Sequence, residues 1–67
     1  MIAGRRVIDV ITPIGPARVK VKELDGRPVE VAPEYEDCRR ISRQTGMDLR
    51  EVMRVVAEAA RRELGLP

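Results

Sequence analysis

The chain has 67 residues, enough for one small domain, and its composition excludes several classes of protein. No uncharged run approaches the roughly 18 apolar residues of a membrane-spanning helix, so we expect no membrane association. Histidine is absent, which excludes Ser-His-Asp and Cys-His catalysis and ordinary histidine metal sites within this chain. The single cysteine, Cys38, cannot form an internal disulfide, which favours a reducing, cytoplasmic setting.

Charge and aromatic content narrow the range of expected partners. The formal net charge is +2, but residues 1–22 alone carry a charge of +4 and residues 23–67 a charge of −2. Tyr35 is the only aromatic residue, so a base-stacking platform for single-stranded nucleic acid is disfavoured. Asparagine is absent and arginine outnumbers lysine by 11 to 2, which suggests a thermophilic source.

The first half of the chain predicts three antiparallel strands, at about residues 6–12, 17–23 and 27–31. β-Branched residues fill the first strand, which ends at a turn containing two prolines and a glycine. The second strand alternates strictly, so its apolar residues share one face and the basic residues Arg18, Lys20 and Lys22 share the other.

The third predicted strand follows a hairpin turn at Asp25-Gly26, a pair of residues that tolerates positive φ angles. We expect Val29 and Val31 to point inward from this strand. Pro28 indicates that the strand lies at an edge of the sheet, because proline cannot donate a ladder hydrogen bond.

The second half predicts two helices, at about residues 33–45 and 49–64. Pro33 suits the first helical position, and Gly46 suits a left-handed cap at the end of the first helix. The second helix opens with Asp48 as N-cap and Glu51 closing a capping box. The inward stripe of the first helix is expected to comprise Tyr35, Cys38, Ile41 and Thr45.

These elements predict a single small domain of the α+β class, in which a small antiparallel three-stranded meander is followed by two helices. Its apolar residues are mostly valine and alanine. A domain below about 70 residues with so little bulky apolar material usually needs disulfides, a metal or association. With one cysteine and no histidine, association is what remains, so we expect a homo-oligomer.

Three segments of the sequence resemble one known family. T-P-I-G-P-A-R-V-K at residues 12–20 and P-E-Y-E-D-C-R-R at residues 33–40 are followed by L-R-E-V at residues 49–52. Together they resemble the C-terminal end of the nickel insertion proteins (LarC family), which act in the pathway of the lactate racemase nickel-pincer cofactor. The resemblance covers roughly residues 7–62.

The resemblance implies a function for the chain. Members of this family are CTP-dependent cyclometallases, which insert nickel into a pyridinium bisthiocarboxylic acid mononucleotide while CTP is hydrolysed. Their C-terminal domain binds CTP with Mg²⁺ or Mn²⁺ and assembles the oligomer, which points here to a trimer or hexamer. Full members run to several hundred residues, so the resemblance implies a terminal segment or a separate small subunit. In the case of a separate subunit, a second chain would carry the missing part; in either case most of the nickel handling lies outside this chain, and we expect no nickel insertion by this chain alone.

The candidate nucleotide-binding residues are the cationic strand face, the turn before it and the single aromatic. They are Thr12, Gly15, Arg18, Lys20, Lys22 and Tyr35. Successive cations about 7 Å apart on one strand face suit a triphosphate, and the turn could direct backbone N–H groups toward a phosphate. The alternatives are a solvated strand face, a turn that needs glycine for its geometry, and a tyrosine in the core.

The candidate metal ligands are Glu34 and Glu36, because Mg²⁺ and Mn²⁺ favour carboxylate oxygens. The alternative is that acidic residues in the first turn only offset the helix dipole. Cys38 is a candidate soft ligand for nickel, but one thiolate without histidine makes a poor site, and a buried small hydrophobic residue is the stronger interpretation. No catalytic residue can be assigned.

Two functions of other classes stay open. The first is an oligomerisation module without a ligand. The second is a nucleic-acid-binding module, which the basic N-terminal part suggests. It is disfavoured, because the helices mix both signs of charge and no recognition motif is present.

Overall fold

The computed structural model describes residues 2–67 as a three-stranded antiparallel sheet followed by two helices. The strands occur in the spatial order β1-β2-β3, so β2 is central and the other two are edges. This confirms the predicted α+β meander. The elements are β1 (Ala3–Thr12), β2 (Gly15–Leu24), β3 (Arg27–Pro33), α1 (Tyr35–Thr45) and α2 (Leu49–Leu64).

A two-residue turn joins β1 to β2 and fixes their register. Thr12 pairs with Gly15 across the turn. The Thr12 hydroxyl donates a hydrogen bond of 2.7 Å to the Gly15 carbonyl and accepts one of 3.1 Å from the Ile14 N–H. Gly15 has a φ of 116°, which side-chain-bearing residues rarely adopt. From this turn the pairing continues without interruption as far as Ala3 and Leu24.

The second hairpin turns at Asp25-Gly26, as predicted. Both residues have positive φ angles, of 52° and 77°, which matches the twist of the flanking strands. The register between β2 and β3 then shifts at a bulge, where Val29 is left without a directly paired residue. Val29 is 54% exposed, so its predicted inward position is wrong. Pro28 lies in an edge strand, as expected.

The helices cover one face of the sheet and form the core with it. The largest buried side chain is Ile41, and valine, alanine and Cys38 supply the rest, as the composition indicated. The core cluster is Val10, Ala17, Val19, Cys38, Ile41, Val52, Val56 and Ala60.

The molecule is elongated, with extents of 42 × 19 × 17 Å. Its radius of gyration is 12.1 Å, against about 11 Å for a compact chain of this length. Every residue from 2 to 7 is exposed, so the first half of β1 contributes little to the core. Within residues 2–67, no helix is long and apolar enough to cross a membrane.

The helix boundaries depart from prediction at two N-termini. Pro33 pairs with Val19 as the last residue of β3, so α1 begins at Tyr35 instead of residue 33. Asp48 is the N-cap of α2 but makes no side-chain capping hydrogen bond. Glu51 pairs with Arg54 at the surface, so the predicted capping box is wrong.

The C-terminal ends of both helices follow the glycine rule. Gly46 ends α1 with a φ of 76°, and its N–H donates to the Ser42 carbonyl. Gly65 ends α2 in the same left-handed conformation. Positive φ is needed at both positions, which is why glycine marks these ends reliably in the sequence.

Candidate functional site

The predicted cationic stripe lies on the face of the sheet that the helices leave open. Arg18, Lys20 and Lys22 are exposed, whereas Val19 and Val21 between them are buried. The strict alternation therefore placed the three basic side chains on the correct face. Each of them is nevertheless paired with a carboxylate from β3 or from the start of α1, and the three pairs differ in kind.

Arg18 is held by Asp37 through three hydrogen bonds. Its backbone N–H and its Nε donate to Oδ2 of Asp37 at 2.8 and 3.1 Å, and a terminal guanidinium nitrogen donates to Oδ1 at 3.0 Å. In the opposite direction, the Glu34 N–H donates to the Arg18 carbonyl at 2.9 Å. The backbone of Arg18 thus keeps both hydrogen-bond partners, although β3 has already ended at Pro33.

This contact explains why Asp37 is buried at the start of a helix. The carboxylate replaces the missing strand as the acceptor for the Arg18 N–H and ties α1 to β2. The hydrogen bond from the Arg18 guanidinium holds the pKa of Asp37 below its ordinary value, although burial opposes the shift. The same bond raises the pKa of Arg18. We call this set of contacts between Arg18 and Asp37 the clamp.

Each of the two lysines has a single ion pair with a carboxylate, whereas Arg18 makes three hydrogen bonds to Asp37. The Lys20 ammonium lies 3.7 Å from a carboxylate oxygen of Glu34, and Lys22 lies 3.1 Å from Glu30. More than half of each lysine side chain is exposed. Exposed ion pairs contribute about 0–1 kcal/mol, so either lysine can exchange its carboxylate for another anion at small cost.

Arg5 joins the lysines on this face, and the sequence-based assignment missed it. Arg5 pairs directly with Lys22 across the strands, and Val7 pairs with Lys20. A groove of about 350 Å³ runs beside these cations, with Ala32 at its wall. The signal that finds Arg5 is the two-residue turn, because that turn fixes which residues of β1 and β2 face each other.

The remaining nucleotide candidates are Thr12 and Gly15, which pair across the first turn, and Tyr35 at the start of α1. Thr12 is buried and its hydroxyl is already hydrogen-bonded within the turn, so the turn geometry accounts for both Thr12 and Gly15. Tyr35 is 51% exposed, so its place on the inward stripe is wrong. Thr45 is exposed as well, whereas Asp37 is buried. Cys38 and Ile41 are buried as predicted, so the stripe is correct in the middle of α1 and wrong at its two ends.

The acidic residues offer few metal ligands. Across residues 2–67, no group of three or more Asp, Glu, Cys or His side chains is placed to hold a metal ion. Glu34 already lies beside Lys20, and Glu36 is exposed two residues further along the chain. Such a pair suits Mg²⁺ or Mn²⁺ only where phosphate oxygens complete the coordination. Cys38 is fully buried and burial raises the pKa of its thiol, which fits the predicted core residue and not a nickel ligand.

Comparison with known proteins identifies the family. The family profile described as nickel insertion protein matches residues 1–53. The pyridinium-3,5-bisthiocarboxylic acid mononucleotide nickel insertion protein of Desulfitobacterium hafniense strain Y51 is 44% identical over 55 residues. That match covers 82% of this chain and 14% of the relative. The protein of the same name from Thermotoga sp. strain RQ2 is 39% identical over 57 residues, which are 85% of this chain and 14% of the relative.

A solved structure agrees with the sequence matches. It is LarC2, the C-terminal domain of a cyclometallase involved in the synthesis of the NPN cofactor of lactate racemase, in its apo form. The two folds superpose with a TM-score of 0.75 at 30% identity, over 90% of this chain and 41% of that one. The chain spans only 12–14% of the length of the curated relatives it matches. It belongs to the nickel insertion protein (LarC) family and corresponds to part of the C-terminal domain.

Proposed function

We propose that the chain supplies a CTP-binding surface and assembly contacts to a nickel insertion protein. That protein would use CTP to insert nickel into pyridinium-3,5-bisthiocarboxylic acid mononucleotide. The single observation that carries the proposal is the match to the C-terminal domain of a cyclometallase, at a TM-score of 0.75 and 30% identity. The choice of CTP rests on the family resemblance, because charge alone does not distinguish CTP from another polyanion.

The open face of the sheet is the part of the molecule best suited to a triphosphate. Lys20 and Lys22 lie about 7 Å apart along β2, with loosely held counter-ions and an adjacent groove. Arg18 contributes differently from the lysines, because its guanidinium is engaged by Asp37. We therefore assign the phosphate contacts to the lysines and a positioning role to Arg18.

Tyr35, Glu34 and Glu36 complete the proposed surface near the start of α1. The exposed ring of Tyr35 is accessible to a base or a phosphate. One or two carboxylates together with phosphate oxygens form the coordination that Mg²⁺ usually takes, so Glu34 and Glu36 would hold the metal only with the nucleotide bound. Thr12 and Gly15 support the sheet through their turn, and any contact they make with a phosphate would come from backbone groups.

Catalysis by the chain alone is not part of the proposal. The chain has no histidine, and its only thiol is buried in the core. The relatives are about six times as long as this chain, since 55 aligned residues make up 14% of one of them. We infer that the missing part of the family, in the same protein or in a separate chain, handles nickel and its organic acceptor. Purified protein incorporating nickel into the acceptor by itself would contradict this reading.

A ligand-free assembly module is the second candidate function. It is favoured by the observation that all three cations of the stripe have carboxylate partners within the chain. Such pairing lowers the net positive potential of the face. Under this alternative, the lysines serve only to keep an exposed sheet face hydrated.

Parallel titrations with CTP, ATP and duplex DNA, each with Mg²⁺ and at two salt concentrations, separate the candidates. We expect CTP to bind in the high micromolar range or weaker, at about −5 to −6 kcal/mol, and ATP to bind more weakly. If the protein binds none of the three, the ligand-free assembly module is the remaining candidate. Tighter binding of DNA that falls steeply with salt would instead support the nucleic-acid module.

A further inference from the structure

The two edges of the sheet are built very differently. Edge strands expose unpaired backbone groups, and proteins usually protect them with prolines, lysines, bulges or short length. The β3 edge has seven residues, two prolines and the bulge at Val29. The β1 edge has ten residues without proline, lysine or bulge; its protection is limited to the charged residues Arg5, Arg6 and Asp9, and its sequence includes V-I-D-V-I. β1 is therefore the edge that is suited to pairing.

Apolar side chains are exposed along the same strand. Val7 is 56% exposed and Ile11 is 79% exposed, both on the open face of the sheet. Ile8 and Val10, which alternate with them, face the helices and belong to or pack against the core. The exposure of Val7 and Ile11 thus lies at the unpaired edge, where a further strand would cover both side chains.

The backbone groups available at this edge follow from the register. Pro16 has no N–H and pairs with Ile11, so these two residues form a pair without ladder hydrogen bonds. Such pairs alternate with hydrogen-bonded ones along an antiparallel ladder. The N–H and C=O groups of Arg5, Val7, Asp9 and Ile11 therefore point away from β2, toward the free edge.

We propose that β1 pairs with β1 of a second copy of this chain, antiparallel and about a two-fold axis at Val7. The two sheets then become one six-stranded sheet with both pairs of helices on the same face. In this register Arg5 lies opposite Asp9 of the second copy, and by symmetry Asp9 lies opposite its Arg5. Val7 lies opposite Val7, and Ala3 lies opposite Ile11.

Charge complementarity selects this register over its neighbours. An axis at Arg5 or at Asp9 would bring two like charges together, which destabilises a cross-strand pair. An axis at Arg6 would oppose two Arg6 side chains, and one at Ile8 would place Asp9 opposite Val7. Only the axis at Val7 sets opposite charges face to face, and it does so twice.

Within the monomer, Arg5 has the greater need of a partner, because Asp9 already lies opposite Arg18 on the same face of the sheet. Among the residues that the structure describes, neither Arg5 nor Asp9 forms an ion pair. Arg5 also lies directly opposite Lys22, a like charge on the same sheet face. An aspartate from the second copy would offset that repulsion.

This inference rests on the assembly role in the proposed function and specifies its contact. A two-fold contact yields a dimer, or a hexamer when it joins two trimers, and it cannot by itself yield a trimer. The nucleotide role is measured independently by CTP titration. Failure of the β1 contact and failure of the nucleotide site are therefore distinguishable.

Charge reversal tests the register. Arg5→Asp and Asp9→Arg each place like charges opposite one another twice, so each should weaken association about tenfold or more. The double variant with both substitutions restores opposite charges with reversed polarity and should recover most of the association. Arg50→Asp, at an exposed site on α2, is the control for a change in net charge. The measurement is sedimentation equilibrium across the micromolar range.

A proline variant tests the backbone pairing without relying on charge. Val7→Pro removes an N–H that points to the free edge, so the ladder with β2 stays intact and circular dichroism should stay unchanged. We expect the variant to sediment at half the mass of the wild type. Wild-type protein that is monomeric or trimeric overturns the proposal. The proposal is also overturned if the wild type associates and neither Val7→Pro nor the charge reversals change that association. In that case the copies would associate through another face.

Discussion

Removing the carboxylate of the buried Asp37 should destabilise the fold more than substitution of any exposed charged residue near the start of α1. In Asp37→Ala the Arg18 N–H loses its acceptor at 2.8 Å, and the guanidinium loses two further contacts. β3 has already ended at Pro33, so no strand can replace the lost acceptor. The link between β2 and the first turn of α1 would then depend on the Glu34 N–H bond to the Arg18 carbonyl.

The expected magnitude follows from the unsatisfied backbone group. A buried donor without a partner costs about 1–3 kcal/mol, and the clamp is only partly buried, so we expect about 1–2 kcal/mol. For a domain of this size, that loss lowers the midpoint of thermal unfolding by roughly 4 °C or more. Asp37→Asn should cost less, because an amide oxygen can still accept the Arg18 N–H bond.

The assay is thermal and urea unfolding followed by circular dichroism, at one protein concentration throughout because the chain is expected to associate. Glu36→Ala is the matched control, since it removes an exposed carboxylate one residue away in the same helical turn. It should change stability by no more than about 0.5 kcal/mol. Equal midpoints for Asp37→Ala and Glu36→Ala would show that the clamp does not hold α1 on the sheet.

Three further outcomes follow from the same contacts. Because the pKa of Asp37 is lower in the folded state, the unfolded state binds more protons in acid. The free energy of unfolding should thus fall as the pH drops below about 4, and it should fall less in Asp37→Asn than in the wild type. An equal dependence on pH in the two proteins would contradict this prediction. Asp48→Ala should change the free energy of unfolding by less than about 0.5 kcal/mol, because the Asp48 side chain makes no capping hydrogen bond. A loss near 1 kcal/mol in urea unfolding would instead show that Asp48 caps α2 in solution. Gly15→Ala should cost about 1–3 kcal/mol because φ is 116° there, and an unchanged melting temperature would refute the strain.

Local sequence rules predicted the fold because the decisive signals lie within short segments. The alternation from Ala17 to Lys22 requires one buried and one open sheet face, and Asp25-Gly26 supplies the two positive φ angles of a tight hairpin. Gly46 marks the end of α1 for the same conformational reason. None of these inferences needed to know which residues meet at long range.

The errors at Tyr35 and Val29 have one common cause, which is contact between distant segments, whereas the capping box failed through a local pair of Glu51 with Arg54. Asp37 reads as an ordinary first-turn acid until Arg18, 19 residues away, is known to face it. In the first turn of α1, Asp37 is therefore the buried residue and Tyr35 is exposed. The bulge at Val29 likewise depends on the register with β2, which the alternation of β3 alone does not reveal.

The sequence predicted where the basic side chains of the candidate site lie, but not which of them are already bound by carboxylates. The sequence placed Lys20, Lys22 and Arg18 on one face, and they do lie there. Their availability could not be read from the sequence, because it depends on whether a carboxylate is tightly or loosely held. The contacts distinguish Arg18, whose guanidinium is held by Asp37, from the two lysines, which can exchange their carboxylate partners for a phosphate.

Titration calorimetry of CTP with Mg²⁺ into wild type, Lys20→Ala and Arg50→Ala tests the nucleotide role of the open sheet face most directly. Lys20→Ala should weaken binding by about 10- to 150-fold, the equivalent of one charge-assisted contact of roughly 1.5–3 kcal/mol. Its stability should be nearly unchanged, because Lys20 is exposed and its ion pair with Glu34 is long. Arg50→Ala, with the same loss of charge on α2, should bind as the wild type does. Equal affinities for all three proteins, or no binding by the wild type, would contradict the assignment of the phosphates to this face.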